Sequence, residues 1–187
     1  MKCGSFGTTA LHEASFRGYV DVTELLLRRE CLSIYARDNH GRTPLHFASI
    51  GNHVGVVKLL VRRGGIDVDV RFHGNSALHE ASRGGHSDVI KLLLRRKGIK
   101  INDRNNCGFT PLHLASSGGH ADAVNLLLQR ADIRVNMKCG RFGTTALHEA
   151  SHAGNVDVVK LLSEREDIEI NARDNELNTS DENASFR

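Results

Sequence analysis

The chain has 187 residues, 40% of them hydrophobic and 25% charged, which is ordinary for a globular protein long enough to bury a core. Its net charge of +3 does not by itself indicate nucleic-acid binding, and no apolar run reaches the ~18 residues of a membrane span. The N-terminus lacks the apolar segment of a secretory signal, and the four cysteines show no CxxC spacing. We therefore expect an intracellular, cytoplasmic protein with reduced thiols, with the nucleus as the alternative location.

A segment at the start of the chain recurs almost unchanged near its end. MKCGSFGTTALHEAS begins at residue 1 and MKCGRFGTTALHEAS at residue 137, and only one position differs. The core of this segment, Leu-His-x-Ala-Ser, begins at residues 11, 45, 78, 112 and 147, in steps of 34, 33, 34 and 35 residues. A period of this length indicates a repeat architecture.

Each repeat begins with a predicted turn and a short first helix. A glycine lies four residues before every Leu-His, and a Thr or Ser two residues before it has the hydroxyl of an N-cap. Pro44 and Pro111 follow that cap, at the first helical position, where a backbone N–H would have no acceptor within the helix. The first helix is predicted to end at a residue that accepts a left-handed conformation. These residues are Gly18, Asn52, Gly85, Gly119 and Gly154.

A second helix follows, with apolar residues at i, i+3 and i+4, as in Val22, Leu25 and Leu26. Basic residues gather at its end, as in Arg28, and a short alternating segment leads to the next turn. The basic residues form a predicted ladder along the array. Cations there complement the helix C-terminus, but the ladder could also bind an anionic surface or nucleic acid.

The pattern Gly-x-Thr-Pro-Leu-His-x-Ala, followed by a leucine-rich helix, resembles the ankyrin repeat, most closely at residues 41–48 and 108–115. The resemblance implies an all-α solenoid of stacked helix–turn–helix units, elongated and slightly curved, with the Leu-His imidazole bonded to neighbouring turn backbone. Repeats one, three and five depart from the family pattern, with alanine in place of proline. The predicted repeats are residues 4–37, 38–70, 71–104, 105–139 and 140–174, followed by a disordered polar tail at 175–187.

Stacking is expected to bury the leucine of every Leu-His motif between neighbouring repeats. Neither end of the array has an evident polar cap, so we expect the end repeats to fray. The missing caps also suggest a piece excised from a longer array, as a hypothesis.

Positions that do not repeat are the candidate partner-binding residues. Turn tips and the exposed side of the first helices are expected to line one concave surface, where exposed aromatic residues beside arginine are typical of binding hot spots. Some of the phenylalanines could instead pack against the next turn. The candidates are Phe6, Phe16, Arg17, His40, Arg42, Ile50, Phe72, His73, Arg83, Phe109, Arg141, Phe142 and His152.

Catalysis, cofactor binding and metal binding are not expected. Eight of the eleven histidines recur at two repeat positions, and units about 34 residues apart do not bring four zinc ligands together. No GxSxG, HExxH or phosphate-binding loop occurs. We expect a monomeric protein–protein interaction module of unknown partner, with no small-molecule substrate. The alternatives are a substrate-recruiting or regulatory segment of a larger enzyme or effector, and anionic-surface or nucleic-acid binding through the basic ladder.

Overall fold

A computed structural model of the protein describes residues 7–29, 32–63 and 65–176. Within these ranges the chain forms ten short helices in five successive pairs and only isolated β-bridges. The helices are α1 (Ala10–Arg17), α2 (Val20–Leu27), α3 (Pro44–Ile50), α4 (Val54–Arg62), α5 (Ala77–Arg83), α6 (Ser87–Leu94), α7 (Pro111–Ser117), α8 (Ala121–Leu128), α9 (Ala146–His152) and α10 (Val156–Ser163). The predicted all-α repeat fold is confirmed, and the repeat boundaries given above stay a prediction.

The first helices α1, α3, α7 and α9 begin as predicted. Thr9, Thr43, Thr110 and Thr145 are N-caps with extended backbone, and Pro44 and Pro111 are the first helical residues of α3 and α7. In α1, α3 and α9 the histidine three residues later completes a capping box, because its ring accepts the N–H of the cap residue. One sequence motif therefore both starts the helix and orients the imidazole.

The chain folds into two compact units. Of the described residues, unit 1 comprises those within 7–81 and 88–99, and unit 2 comprises those within 82–87 and 100–176. In unit 1, α1 pairs with α2 and α3 with α4, while α1 packs on α3 and α2 on α4. The core of this unit contains the fully buried Leu11, Val56, Val57 and Leu60.

Unit 2 repeats this arrangement with its own helices. The pairs α7–α8 and α9–α10 stack first helix on first helix and second helix on second helix. Leu112, Leu127, Leu147 and Leu162 fill the core between the layers. This packing leaves the turns and one side of α7 and α9 at the surface. In the part of the chain that the structure describes, no helix is long and apolar enough to cross a bilayer.

Candidate functional site

The Leu-His histidines hold successive repeats together. The Nε2 atoms of His12, His46 and His113 lie 3.0, 3.1 and 3.2 Å from the carbonyl oxygens of Arg42, Asn75 and Thr144 in the following turn. A carbonyl only accepts, so Nε2 carries the proton and Nδ1 receives a bond from the Thr cap of its own helix. The predicted role of these imidazoles is confirmed, and it fixes each turn tip relative to the helix before it.

Burial keeps these rings neutral. It lowers the pKa of His113 to about 4 and also lowers the pKa of His12 and His46, in each case against hydrogen bonds to backbone that act the other way. A neutral ring is required, because Nδ1 must accept while Nε2 donates. Among the described residues, no group of three or more His, Cys, Asp or Glu side chains is placed to hold a metal ion.

A second set of side chains forms hydrogen bonds to the preceding repeat instead of the following one. His53 and His120 are the N-cap residues of α4 and α8. Their Nε2 atoms lie 2.8 and 2.9 Å from the carbonyl oxygens of Phe16 and Arg83, in the preceding repeat. In the last pair Asn155 takes this position and donates to the carbonyl of Ser116 at 2.8 Å. Both ends of α1 and of α7 are therefore tied to neighbouring repeats.

The turn tip at Asp38 is built around its carboxylate. One oxygen accepts the N–H groups of His40 and Arg42 at 3.0 and 2.8 Å, and the other pairs with Nε of Arg42 at 2.8 Å. Although burial raises the pKa of Asp38, the bonds from Arg42 lower it below the ordinary value. Asn105 forms the same turn without charge, accepting from the N–H groups of Cys107 and Phe109.

Turns of the third and fifth repeats are short antiparallel bridges instead. Phe72 pairs with Asn75 across two residues of positive φ, His73 and Gly74, as a tight hairpin turn requires. In the fifth repeat Cys139 pairs with Thr144 across a longer tip that carries Arg141 and Phe142. The longer tip extends Phe142 into solvent, with 46% of its surface exposed.

In unit 1 the candidate residues form an aromatic–arginine cluster. The guanidinium carbon of Arg42 lies 4.4 Å from the ring centre of Phe47 and 5.5 Å from that of Phe72. Phe16 meets the edge of Phe47 at 5.8 Å and remains 50% exposed. Arg42 and Phe72 are therefore half-buried and engaged with each other, whereas Phe16 presents an open ring.

In unit 2 three candidate residues line one groove of about 410 Å³, which we call the repeat-5 groove. Its lining includes Phe109, Phe142, Glu149, His152, Asp174 and Glu176. Phe109 is half-buried, with its ring 6.1 Å from that of His113 and close to Gly140 of the next turn. A second groove of about 520 Å³, on the side of Cys107 and Arg141, shares Phe109, Phe142 and Glu149.

The remaining candidates take varied positions. Arg17, His40, Ile50, His73, Arg83 and Arg141 are exposed. Arg17 and Arg141 each place their guanidinium over a neighbouring phenylalanine, at 5.7 and 4.7 Å from the ring centres of Phe16 and Phe142. Phe6 and most of the predicted tail lie outside the described residues. In unit 2, Phe109 and Phe142 thus line both grooves, His152 joins them in the repeat-5 groove, and Arg141 joins them in the second groove.

The sequence reasoning missed the variable position inside Leu-His-x-Ala-Ser. It holds Phe47, which is 8% exposed and contacts Arg42, and Glu149, whose carboxylate accepts the Thr144 hydroxyl at 2.7 Å in the groove. A signal was present, because this position alternates between glutamate and an apolar residue while the rest of the motif is constant. The residues are Glu13, Phe47, Glu80, Leu114 and Glu149.

The basic ladder is partly neutralised within unit 2. Arg130 forms a bidentate ion pair with Asp132, and Arg165 forms one with Asp167. The guanidinium nitrogens lie 2.9–3.1 Å from the carboxylate oxygens. These bonds lower the pKa of both aspartates below the ordinary value. In unit 1, Arg28 pairs with Glu24 at 3.1 Å on the exposed side of α2. Each such pair reduces the positive potential that a polyanion would meet.

Comparison with curated proteins finds no match. The family profile described as ankyrin repeats (3 copies) matches residues 1–72, 30–105 and 78–174. Ankyrin repeats are generally protein–protein interaction modules and are typically non-catalytic. These overlapping matches extend over the five Leu-His motifs and the helix pairs built on them, and the chain belongs to the ankyrin-repeat family.

Proposed function

We propose that this chain is a non-catalytic module that binds a protein partner through its turn tips and the exposed side of its first helices, a surface we predict to be concave. The observation that carries the proposal is the exposure of Phe142 and Phe16, at 46% and 50% of their surfaces. Large aromatic rings on a rigid scaffold, each with an arginine over it, are typical of binding hot spots.

The absence of catalysis is part of the proposal. In the part of the chain that the structure describes, a recurring hydroxyl–imidazole pair resembles an activated nucleophile, with Thr110 Oγ1 2.7 Å from His113 Nδ1. Both residues are buried, however, and the Nε2 atom of His113 is bonded to the Thr144 carbonyl. A substrate has no access to this hydroxyl, and the repetition of the pair along the chain supports a structural role.

Recruitment of substrates to a larger enzyme or effector would use the same surface and is compatible with the proposal. Binding of nucleic acid through the basic ladder is disfavoured by the paired Arg130 and Arg165. Ionic strength distinguishes nucleic-acid binding from protein binding. A nucleic-acid complex with about six or more phosphate contacts loses about a thousandfold in affinity or more between ~50 and ~200 mM salt. The affinity of a protein interface centred on phenylalanine changes modestly over the same range.

The test is affinity capture with the wild-type chain, Phe142→Ala and the matched control Val156→Ala, with partners identified by mass spectrometry. Val156 is 62% exposed at the start of α10, away from the turn tips. We expect a protein that is retained by the wild type and the control, with its affinity lowered by about 2 kcal/mol or more in Phe142→Ala. Equal retention by Phe142→Ala and Val156→Ala would contradict the proposed surface.

A further inference from the structure

The repeat-5 groove combines two kinds of wall. The rings of Phe109 and Phe142 supply apolar sides, and the carboxylates of Glu149 and Glu176 supply negative charge. Asp174 adds a buried carboxylate, whose Oδ1 accepts the N–H of Glu176 at 2.9 Å. Glu149 is held in place by the Thr144 hydroxyl at 2.7 Å. Among the described residues that line the groove there is no arginine or lysine, and the two histidines are His148, which is buried against Thr145, and the exposed His152.

Unit 1 contains a similar combination of aromatic rings and a carboxylate, and there it holds an arginine side chain. In unit 1 the guanidinium of Arg42 lies over the rings of Phe47 and Phe72, while its Nε pairs with Asp38. Rings and carboxylate act together there, because the ring faces attract the cation and the carboxylate fixes its direction. On the neighbouring side of the repeat-5 groove, Arg141 covers one face of Phe142 at 4.7 Å.

From this charge complementarity we infer that the repeat-5 groove is a subsite for an arginine side chain of the protein partner. The inference rests on the proposed function and names the chemistry of the partner at one site. Arginine fits better than lysine, because its planar guanidinium stacks on a ring and can meet a carboxylate with two bonds at once. A volume of about 410 Å³ is within the range of pockets that enclose small ligands.

The probe is an acetylated, amidated pentapeptide with arginine at its centre and glycine elsewhere, titrated into the ¹⁵N-labelled chain and followed by NMR. Matched peptides carry citrulline, lysine or leucine at the centre. We expect the arginine peptide to shift the amides of Phe142, Thr144, Glu149 and His152 and to bind about fivefold more tightly than the citrulline peptide. Citrulline keeps the shape of the arginine side chain and removes its charge. The ratio of the two affinities therefore measures the electrostatic contribution to binding.

Two isosteric variants assign the charge to the groove. Glu149→Gln retains an acceptor for the Thr144 hydroxyl, and Glu176→Gln alters an exposed side chain, so each is compatible with folding. Either variant is expected to bring the affinity for the arginine peptide towards that for the citrulline peptide. Glu164→Gln, at the exposed end of α10, makes the same change in net charge and should leave binding unaltered.

Equal affinity for the arginine and citrulline peptides overturns the subsite, as does preferential binding of the leucine peptide. Groove amides that shift with protein concentration and not with peptide identify a second copy as the occupant and also overturn it. If the peptides do not discriminate while Phe142→Ala still weakens partner binding, the subsite is wrong and the proposed function stands. If Phe142→Ala leaves partner binding unchanged, the proposed function itself fails.

Discussion

At the scale of single residues, the histidines show how a repeated side chain can look functional and act structurally. His113 is 1% exposed, bonded at both ring nitrogens and held neutral by burial. Its place in the motif could be identified from sequence, since a residue present in every repeat serves the repeat. Its tautomer could not, because that depends on a carbonyl 31 residues further along the chain.

The first prediction concerns the pH dependence of stability. The folded-state pKa of His113 is about 4, below its ordinary 6.5, so the unfolded chain takes up the proton first as the pH falls. The contribution of neutral His113 to the free energy of unfolding is therefore complete above pH 6.5 and is lost progressively down to about pH 4. At pH 5 the loss from His113 alone is about 2 kcal/mol, and His12 and His46 act in the same direction.

Urea unfolding at pH 7 and pH 5 measures this loss. His113→Gln should be less stable than the wild type at pH 7, because hydrogen bonds are lost, yet its free energy of unfolding should fall less between the two pH values. Asp38 contributes little between these pH values, because its pKa is lowered from an ordinary 3.8 and its carboxyl therefore titrates below pH 5 in both the folded and the unfolded chain. An equal fall in variant and wild type would show that His113 does not titrate as proposed.

At the scale of elements, the turn between first and second helices depends on glycine for two separate reasons. Gly85 has φ of +66°, which disfavours any other side chain, and a Cβ added there would lie 2.5 Å from the ring of His120. Gly154 has φ of +71° at the equivalent position, and a Cβ there would meet no described atom within 4 Å. The two glycines therefore separate backbone strain from steric exclusion.

Alanine substitution at these two positions is the second prediction. Gly154→Ala should lower the free energy of unfolding by about 1 kcal/mol, through backbone strain alone. Gly85→Ala should cost more, because His120 must also move and lose its bond to the Arg83 carbonyl. Chemical denaturation of both variants gives the comparison, and a Gly154→Ala change as large as that of Gly85→Ala would exclude a packing role for His120.

The elements themselves could be predicted from the sequence because their signals are local. Thr caps, Pro44 and Pro111 at the first helical position, and left-handed residues at the helix ends all act within one turn of helix. Exposure of the aromatic tips could not be predicted in the same way. Phe72 and Phe142 both lie in turns. Phe72 is partly covered by Arg42 of the preceding repeat, whereas the longer turn of the fifth repeat leaves Phe142 exposed.

At the scale of the whole molecule, the stability of a repeat array is a sum over neighbouring interfaces. Val56 and Val158, in the second helices α4 and α10, are fully buried, and α2 packs on α4 as α8 packs on α10. Val22 occupies the same position in α2 and is 45% exposed, beside Leu25 at 60% and Tyr19 at 56%. The outer side of α2 therefore lacks the cover that the equivalent sides of α4 and α10 have.

The third prediction follows from this unequal cover. In hydrogen–deuterium exchange followed by mass spectrometry, amides of α2 should exchange faster than those of α4, since α2 can open without breaking a second interface. The comparison uses helices of similar length in one protein, so intrinsic rates are readily corrected. Uniform protection of α2 and α4 would mean that another surface covers Val22 in solution.

The sequence alone determined the repeat period, the order of turn and helix, the helix caps and the buried leucines, because each is encoded by residues a few positions apart and repeated five times. Tertiary structure decided which tips meet at a cavity, which arginines are already engaged, and that Glu149 turns towards Phe109 and Phe142. Those outcomes depend on side chains from different repeats, roughly one period apart in the chain. A local pattern cannot specify such contacts, because only stacking sets the distance between neighbouring repeats.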